Sequence, residues 1–521
     1  MADVQLKAAT AVVLGVSGIL LLWLLDVLLW KPRSLLRKLN RQGIPGPPSR
    51  SFFLGNIPDM DRIGAEAKRA ADAMGQTQGE GAGVISHDWP SVGFSYLLKW
   101  RDEYGPNFIY SMGQIPFLCV TDMDLVKELC LSTTPSLGKP LYLSRDLGPL
   151  FGEGIVSSSG PSWTFQRKIV APQLYLDKVL NMVDLMVGSA EAMVRSWEGK
   201  IESEGGMANM RVDDDLRSLA ADIIARACFG SSYKQGEEIF KKLRELQGLL
   251  VSVSVGVPIL RYVPMRKNRA MWKLEEEIES MILETVKARK KDSSEKDLMQ
   301  MILESADQEG LPPDMSSQQF IVDNCKNIYF AGHETTATTS SWCLMLLAAN
   351  PEWQDRARAE VVELLKDGQP DSSKIRGMKT LTMVIHETLR LYAPAMIVVR
   401  RALQDVKFKN LRIPKGCNIQ LPISILHRLP DIWGKDWNEF NPQRFVNGVS
   451  GACKSVQAYM PFGVGPRVCV GQHFAMLEMK VVLSLILSRF SFSLSPDYLH
   501  APERRLVLEP GHGVILHITK V

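Results

Sequence analysis

The stretch Pro461-Phe462-Gly463-Val464-Gly465-Pro466-Arg467-Val468-Cys469-Val470-Gly471 decides how the chain reads. A cysteine is by default a small, buried, inert side chain, and that reading suits Cys119, Cys130, Cys228, Cys325, Cys343, Cys417 and Cys453. Cys469 keeps different company. Gly463, Gly465 and Gly471 flank it, and Arg467 stands two residues before it. Glycines let the backbone bend close to a bulky planar group and aim N–H donors at the sulfur. Such donors stabilise a thiolate and tune a metal that it binds. An arginine pairs with carboxylates. These needs match a thiolate on haem iron, with Arg467 near a propionate.

Upstream, an apolar pattern runs over residues 316–350, with Pro351 just beyond. It is apolar on more than one side, so it predicts a central, buried helix. Ala331-Gly332-His333-Glu334-Thr335-Thr336 stands in its middle. Glycine and paired threonines are poor helix-interior residues, which marks a candidate site carrying a carboxylate and hydroxyls. Val179, Val183, Met186, Ala190, Met193 and Trp197 recur at helical spacing on one face. Asp213-Asp214-Asp215 suit a helix N-terminus and read as a solvated cap. Residues 59–91 predict a short helix and a loose loop, and the chain beyond Lys407 predicts short strands and turns. The fold class is mainly α with small β-sheets.

Composition narrows the function. The 521 residues are 45% hydrophobic and 23% charged, too apolar for a disordered chain. A net charge of +4 is too small over this length to argue for nucleic acid. The cysteines have no zinc-ribbon or thioredoxin spacing and fit reduced thiols in the cytosol. His333-Glu334 and His386-Glu387 do not extend to a zinc-protease motif. Walker A, dinucleotide and G-x-S-x-G motifs are absent as well. The eight histidines show no ligand spacing and read as surface or hydrogen-bonded core residues.

Residues 8–30 form an apolar run broken only by Asp26. As a helix it is about 35 Å long, enough to cross a bilayer core. Lys31, Arg33, Arg37, Lys38 and Arg41 follow it, which keeps the body on the cytosolic side. The run is too long for a cleaved signal peptide and lacks its small-residue cleavage site. Ile44-Pro45-Gly46-Pro47-Pro48 reads as a stiff, extended spacer. The organisation expected is therefore an anchor with basic flank at 1–43, a proline-rich hinge at 44–48 and one catalytic domain at 49–521.

The thiolate loop, as F-x-x-G-x-R-x-C-x-G, resembles the haem-binding signature of the cytochromes P-450. Four further motifs stand in the family's order: Trp163 with Arg167, Ala331 to Thr336, Glu387-Thr388-Leu389-Arg390, and Phe440-Asn441-Pro442-Gln443-Arg444-Phe445. The resemblance covers residues 44–521 and implies a single haem domain behind one transmembrane helix. It implies Cys469 as axial ligand of haem b, pushing electron density onto iron. Glu334 and Thr335 are implied as the proton relay, an acid and a water-orienting hydroxyl. Trp163, Arg167, Arg467 and either Arg400 or its rival Arg401 are implied as propionate contacts, with Phe462 and Gly471 shaping the loop. Glu387, Arg390 and Arg444 are implied as a buried structural triad. Gln443 replaces an acidic residue often found there, with little consequence expected. Electrons are expected from NADPH through a membrane-bound NADPH–cytochrome reductase, docking on the thiolate side near Lys168 and Lys454. The family's setting implies the endoplasmic reticulum membrane, spanned once.

Phe330, Ala331, Met396, Ile397 and Val398 are the candidate substrate walls, joined by residues 141–159 and 249–260. This aliphatic lining suits a hydrophobic terpenoid or steroid-like substrate. Ile85-Ser86-His87-Asp88, the stretch from Val322 to His333 and Trp342-Cys343-Leu344-Met345-Leu346-Leu347 resemble the plant family that contains gibberellin oxidases. Hydroxylation or epoxidation of a gibberellin-type diterpenoid is the expectation. A triterpenoid or steroid-like substrate is the alternative, and a haem-thiolate isomerase or dehydratase needing no reductase is a third reading. Glu334 and Thr335 argue against the last.

Overall fold

A helix of 33 residues, Ser317–Ala349, runs through the core of the computed structural model. The structure describes residues 30–77, 85–132, 135–230, 233–251, 260–291, 297–306, 311–312, 315–366 and 368–521, with positions 5, 10, 14–19, 22 and 26 before them. The Ser316 hydroxyl caps the helix by accepting the Gln319 N–H at 3.1 Å. A new helix begins at Pro351. Before the central helix come α1 (Met123–Leu131), α2 (Gly160–Val170), α3 (Val183–Ser203), α4 (Asp213–Phe229), α5 (Tyr233–Val251) and α6 (Arg266–Lys291). The central helix is α7; α8 (Lys379–Leu391) and α9 (Gln472–Arg489) follow.

The main sheet has five strands: β1 (Asn107–Met112), β2 (Ile115–Val120), β3 (Leu137–Gly138), β4 (Ile397–Ala402) and β5 (Asn418–Pro422). Their order is β1-β2-β5-β4-β3, antiparallel except for the β2–β5 pair. A second sheet joins Met207–Arg211, Ile515–Lys520 and Phe490–Leu494. The hairpin of Pro502–Arg504 and Leu508–Pro510 delivers Glu509 to the interior.

Several expectations change. The helix at Ile57–Thr77 has 21 residues and is not short. After Lys407 the chain also builds α9, an 18-residue helix apolar on every side and therefore without a readable period. The acidic run is no solvated cap. Asp213 is buried, pairs with Arg217 at 2.8 Å and accepts the Val514 N–H at 3.0 Å. Asp215 accepts the Trp197 indole N–H at 2.8 Å. The proline-rich spacer is pinned to the body, because Ile109 N–H donates to the Pro45 carbonyl at 2.9 Å. Val179 sits in a separate short helix before α3, and Met193 is only half-buried. Apart from positions 10, 14–19, 22 and 26, the anchor residues 8–29 lie outside the described residues. Among the described residues, no helix is long and apolar enough to cross a membrane.

Candidate active site

Between Phe320 and Ala348, every residue of α7 is buried except Ala331, Gly332 and Thr335. Ala331 and Thr335 are one helical turn apart and share a face. The Thr335 hydroxyl donates to the Ala331 carbonyl at 2.6 Å. Gly332 has a packing reason: a Cβ there would lie 2.5 Å from Ile224 Cδ1, so the glycine lets α4 press onto α7. Phe330 packs edge-on against Phe151, with ring centres 5.5 Å apart. Met396 is buried, whereas Ile397 and Val398 are half-open on β4.

Glu334 takes another direction from Thr335. It is fully buried beneath α4 and α5, 2.9 Å from Arg244 and 3.7 Å from Arg217. Burial alone raises its carboxyl, yet neighbouring positive charge wins and holds it below the ordinary 4.5. Burial keeps the adjacent His333 below its ordinary 6.5, so at neutral pH the two arginines supply that charge. The expected acid–hydroxyl pair is thus split: Thr335 is open and Glu334 is locked in ion pairs.

Cys469 is exposed, while six of the other cysteines are buried and Cys453 is intermediate. Its N–H donates to the Phe462 carbonyl at 2.8 Å, closing the loop. Surrounding protein raises the thiol above its ordinary 9.0, and the Gly471 N–H and the Arg167 charge offset only part of that rise. Gly465 sits at φ +74°, and a Cβ there would lie 2.0 Å from the Cys130 carbonyl oxygen, so the tight approach to α1 requires glycine.

Cations gather beside this loop. The Arg467 guanidinium lies 4.3 Å from the Trp163 ring centre and that of Arg167 5.7 Å. Arg467 donates to the Ser158 carbonyl at 3.0 Å, and Arg167 to the Val468 carbonyl at 2.6 Å. Burial and the charges of Arg400 and Arg167 push Arg467 down to about 9. Burial, with Arg400 and Arg467 nearby, also drives Lys139 well below its usual range. Lys139 is a member that sequence reasoning missed, since a lone lysine carries no motif. Successive strand residues point to opposite faces, which separates the two rival arginines. Arg400 joins this cluster, whereas Arg401 feels Arg145 instead. Among the described residues, none of Lys139, Arg167, Arg400 and Arg467 has an acidic partner. Arg400 and Arg467 border a cavity of ≈ 560 Å³, which Trp163, Lys168 and Val464 also line. A planar group bearing two carboxylates fits this donor set.

Glu387 and Arg390 form a fully buried bidentate pair, both contacts at 2.7 Å. Arg444 approaches Glu387 at 3.6 Å and takes Asp436 at 2.7 Å. Asp436, unread in the sequence, supplies the carboxylate that Gln443 lacks.

A family model described as cytochrome P450 matches residues 91–516. Cytochrome P450 714C2 of Oryza sativa subsp. japonica is 48% identical over 96% of this chain and 95% of its own length. The chain belongs to the cytochrome P450 family. Cytochrome P450 714A2 of Arabidopsis thaliana is 45% identical over 94% of this chain and 93% of its own length. Cytochrome P450 714B3 of Zea mays is 45% identical, with coverages of 97% and 94%. Membership of the P450 family makes the protein a monooxygenase, an oxidoreductase whose cofactor is haem b. The family's electrons come from NADPH by way of a reductase. Haem b fits the residues present: an open thiol, an open helical stretch bearing a hydroxyl, and a cation cluster in need of anions.

A further set of residues shapes the site from behind. Asp323 accepts the Glu153 N–H at 2.8 Å, and Asn327 accepts the Val156 N–H at 2.9 Å. Asn327 also donates to the Phe151 carbonyl at 2.9 Å. A Cβ at Gly152 would lie 2.1 Å from the Asp323 carboxylate. These buried side chains of α7 hold the loop that carries Phe151 against Phe330.

Proposed function

We propose that this monooxygenase hydroxylates or epoxidises a hydrophobic diterpenoid of the gibberellin type. The reading rests on the open face of α7: a hydroxyl at Thr335 beside a small residue at Ala331, with the Phe330–Phe151 pair packed alongside. In this reading the Cys469 sulfur would bind the haem iron, and Lys139, Arg167, Arg400 and Arg467 would hold the propionates beside Trp163. Bound haem supplies dioxygen activation, which the thiolate's electron push favours. Thr335 hydrogen-bonds water and passes a proton inward. The aliphatic walls at Ile397 and Val398 exclude bulk water and bind the apolar skeleton through its surface.

The chain is anchored in the endoplasmic reticulum membrane by residues 8–30, with its catalytic body in the cytosol. In support, the one acid of that run, Asp26, lies 2.9 Å from Lys31 in the basic flank. Phe52, Phe53 and Leu54 form an exposed apolar turn just after the hinge. The reductase docks on the thiolate side, where Lys168 and Lys454 are exposed.

The test is turnover in microsomes containing the reductase, with NADPH and a panel of gibberellins, kaurenoids and triterpenoids. Oxygenated gibberellins are expected, and triterpenoid products alone would transfer the assignment to that class. Product formed without NADPH would instead revive the isomerase reading. The Cys469→Ser protein should fold yet lack the strongly red-shifted Soret band of the ferrous carbon monoxide complex.

A further inference from the structure

His427 is completely buried between the Glu387–Arg390 helix and the root of the thiolate loop. Its Nδ1 lies 3.0 Å from the Arg390 carbonyl oxygen, and the Met460 N–H reaches its Nε2 at 3.0 Å. A carbonyl only accepts and a backbone N–H only donates, so the partners dictate a neutral ring protonated on Nδ1. The contact with Arg390 is reciprocal, because the Arg390 guanidinium donates to the His427 carbonyl at 3.1 Å. The Tyr459 ring stacks on the imidazole, 5.4 Å between centres and 21° between planes.

Met460 is where the loop begins. Its N–H is taken by His427, and its carbonyl accepts the Gly463 N–H at 2.9 Å. Two residues on, the Phe462 carbonyl takes the Cys469 N–H. The buried ion pair is therefore tied through His427 to Met460, and the two residues of backbone from Met460 to Phe462 carry that tie to the Cys469 N–H. No other side chain in the described residues bridges Arg390 and Met460.

We infer that His427 is a positioning residue for Cys469: it ties the Glu387–Arg390 helix to Met460 and so sets the height at which the loop presents its sulfur. This rests on Cys469 being the haem ligand. Burial pushes the ring down to about 3, in keeping with an imidazole that stays an acceptor at Nε2.

Two substitutions separate the two ends of the bridge. In His427→Gln the amide oxygen reaches the Nε2 position and accepts from Met460. In His427→Asn the shorter amide reaches only the Nδ1 position and serves Arg390 alone. Both are prepared as full-length holoenzyme, and haem content and far-ultraviolet dichroism are matched to the wild type. The readout is the rate at which the ferrous carbon monoxide complex loses its red-shifted thiolate band to the short-wavelength form. His427→Asn should lose it about tenfold faster than the wild type, the loss of one buried hydrogen bond, while His427→Gln stays within about twofold.

Equal rates in both variants, fast or slow, overturn the inference. Should neither variant fold, amide exchange on the wild type decides. Met460 N–H exchanging as slowly as the amides of α8 supports the bridge, and exchange at open-loop rates overturns it. A wild type without the red-shifted band is different: it sinks the haem-thiolate reading itself and the role of His427 with it.

Discussion

Arg244 reaches from α5 to within 2.9 Å of Glu334 on α7, and the same guanidinium takes Glu509 at 2.6 Å. One side chain thus fastens α5 both to the helix that carries Thr335 and to the C-terminal hairpin. Arg217 completes the arrangement, 3.5 Å from Glu509 and 2.8 Å from Asp213. Buried carboxylates are tolerable here because cations surround them.

Arg244→Ala leaves Glu334 with Arg217 as its remaining arginine, at the longer 3.7 Å, and with the Gln247 amide at 3.4 Å. Near neutral pH the loss should be about 2 kcal/mol, below that of a fully buried pair because Arg244 is partly exposed. Glu334 is depressed below 4.5 in the folded protein. Its stabilisation is therefore present above the unfolded value and lost as pH falls through the folded one. The gap in thermal midpoint between wild type and variant should narrow as pH drops below about 4.5. A gap that stays constant across that range is incompatible with an ionised Glu334 held by Arg244.

Thr335→Ala removes the open hydroxyl of α7 and leaves the Glu334 ion pairs intact. The fold should be unaffected, since the Thr335 hydroxyl only returns to its own helix at Ala331. With proton delivery impaired, NADPH should be consumed without matching product, a fall in coupling of about tenfold or more. Product-to-NADPH stoichiometry measures this directly. Thr335→Ser, which keeps the hydroxyl, should restore most of the coupling.

Asn327→Ala cuts the hydrogen bonds to the Val156 N–H and the Phe151 carbonyl. Two buried bonds at about 1 kcal/mol each set the local cost at about 2 kcal/mol. The loop carrying Phe151 should exchange its amides faster while the core of α7 does not. Substrate affinity, read from the substrate-induced Soret shift, should weaken as Phe151 loses its fixed place beside Phe330. Unchanged exchange at Glu153 to Val156 would dismiss the clamp.

Much of this site was legible because its pieces are local. The glycines, Arg467 and Cys469 sit within eleven consecutive residues, and Glu387 and Arg390 are one helical turn apart. The residues that escaped notice act across the chain: Arg244 meets Glu509 from 265 positions away, and His427 meets Arg390 from 37. Lys139 and Asp436 likewise have meaning only beside partners that folding delivers. Gly332 was read as a weak spot for chemistry, and its packing reason depends on Ile224 of another helix. Glu334 was paired with Thr335 by adjacency, yet neighbours in a helix point about 100° apart. The period of α7 was readable, whereas α9 is apolar all round and shows none.

Glu478 of α9 is the counterpart of Glu334 on the opposite side of the same helix turn. It is buried, 3.0 Å from the Thr336 hydroxyl, and its second oxygen has no hydrogen-bond partner among the described residues. The Thr336 hydroxyl has a single proton and also lies 2.7 Å from the Gly332 carbonyl. A protonated Glu478 resolves the competition by donating to the Thr336 oxygen, which frees that hydroxyl to donate to Gly332. With no cation beside it among the described residues, burial raises the carboxyl well above the ordinary 4.5. A raised folded value means that the group's stabilisation is complete below the unfolded value and drains away as pH rises. Glu478→Gln is uncharged at every pH and close in shape. Relative to wild type, it should therefore gain stability as pH rises above about 4.5, by up to about 1.4 kcal/mol per pH unit until the folded group itself ionises. Thermal midpoints of both proteins across that range give the slope directly. Parallel curves would mean that Glu478 is ionised in the folded protein, and the hydrogen-bond pattern at Thr336 would have to be reversed.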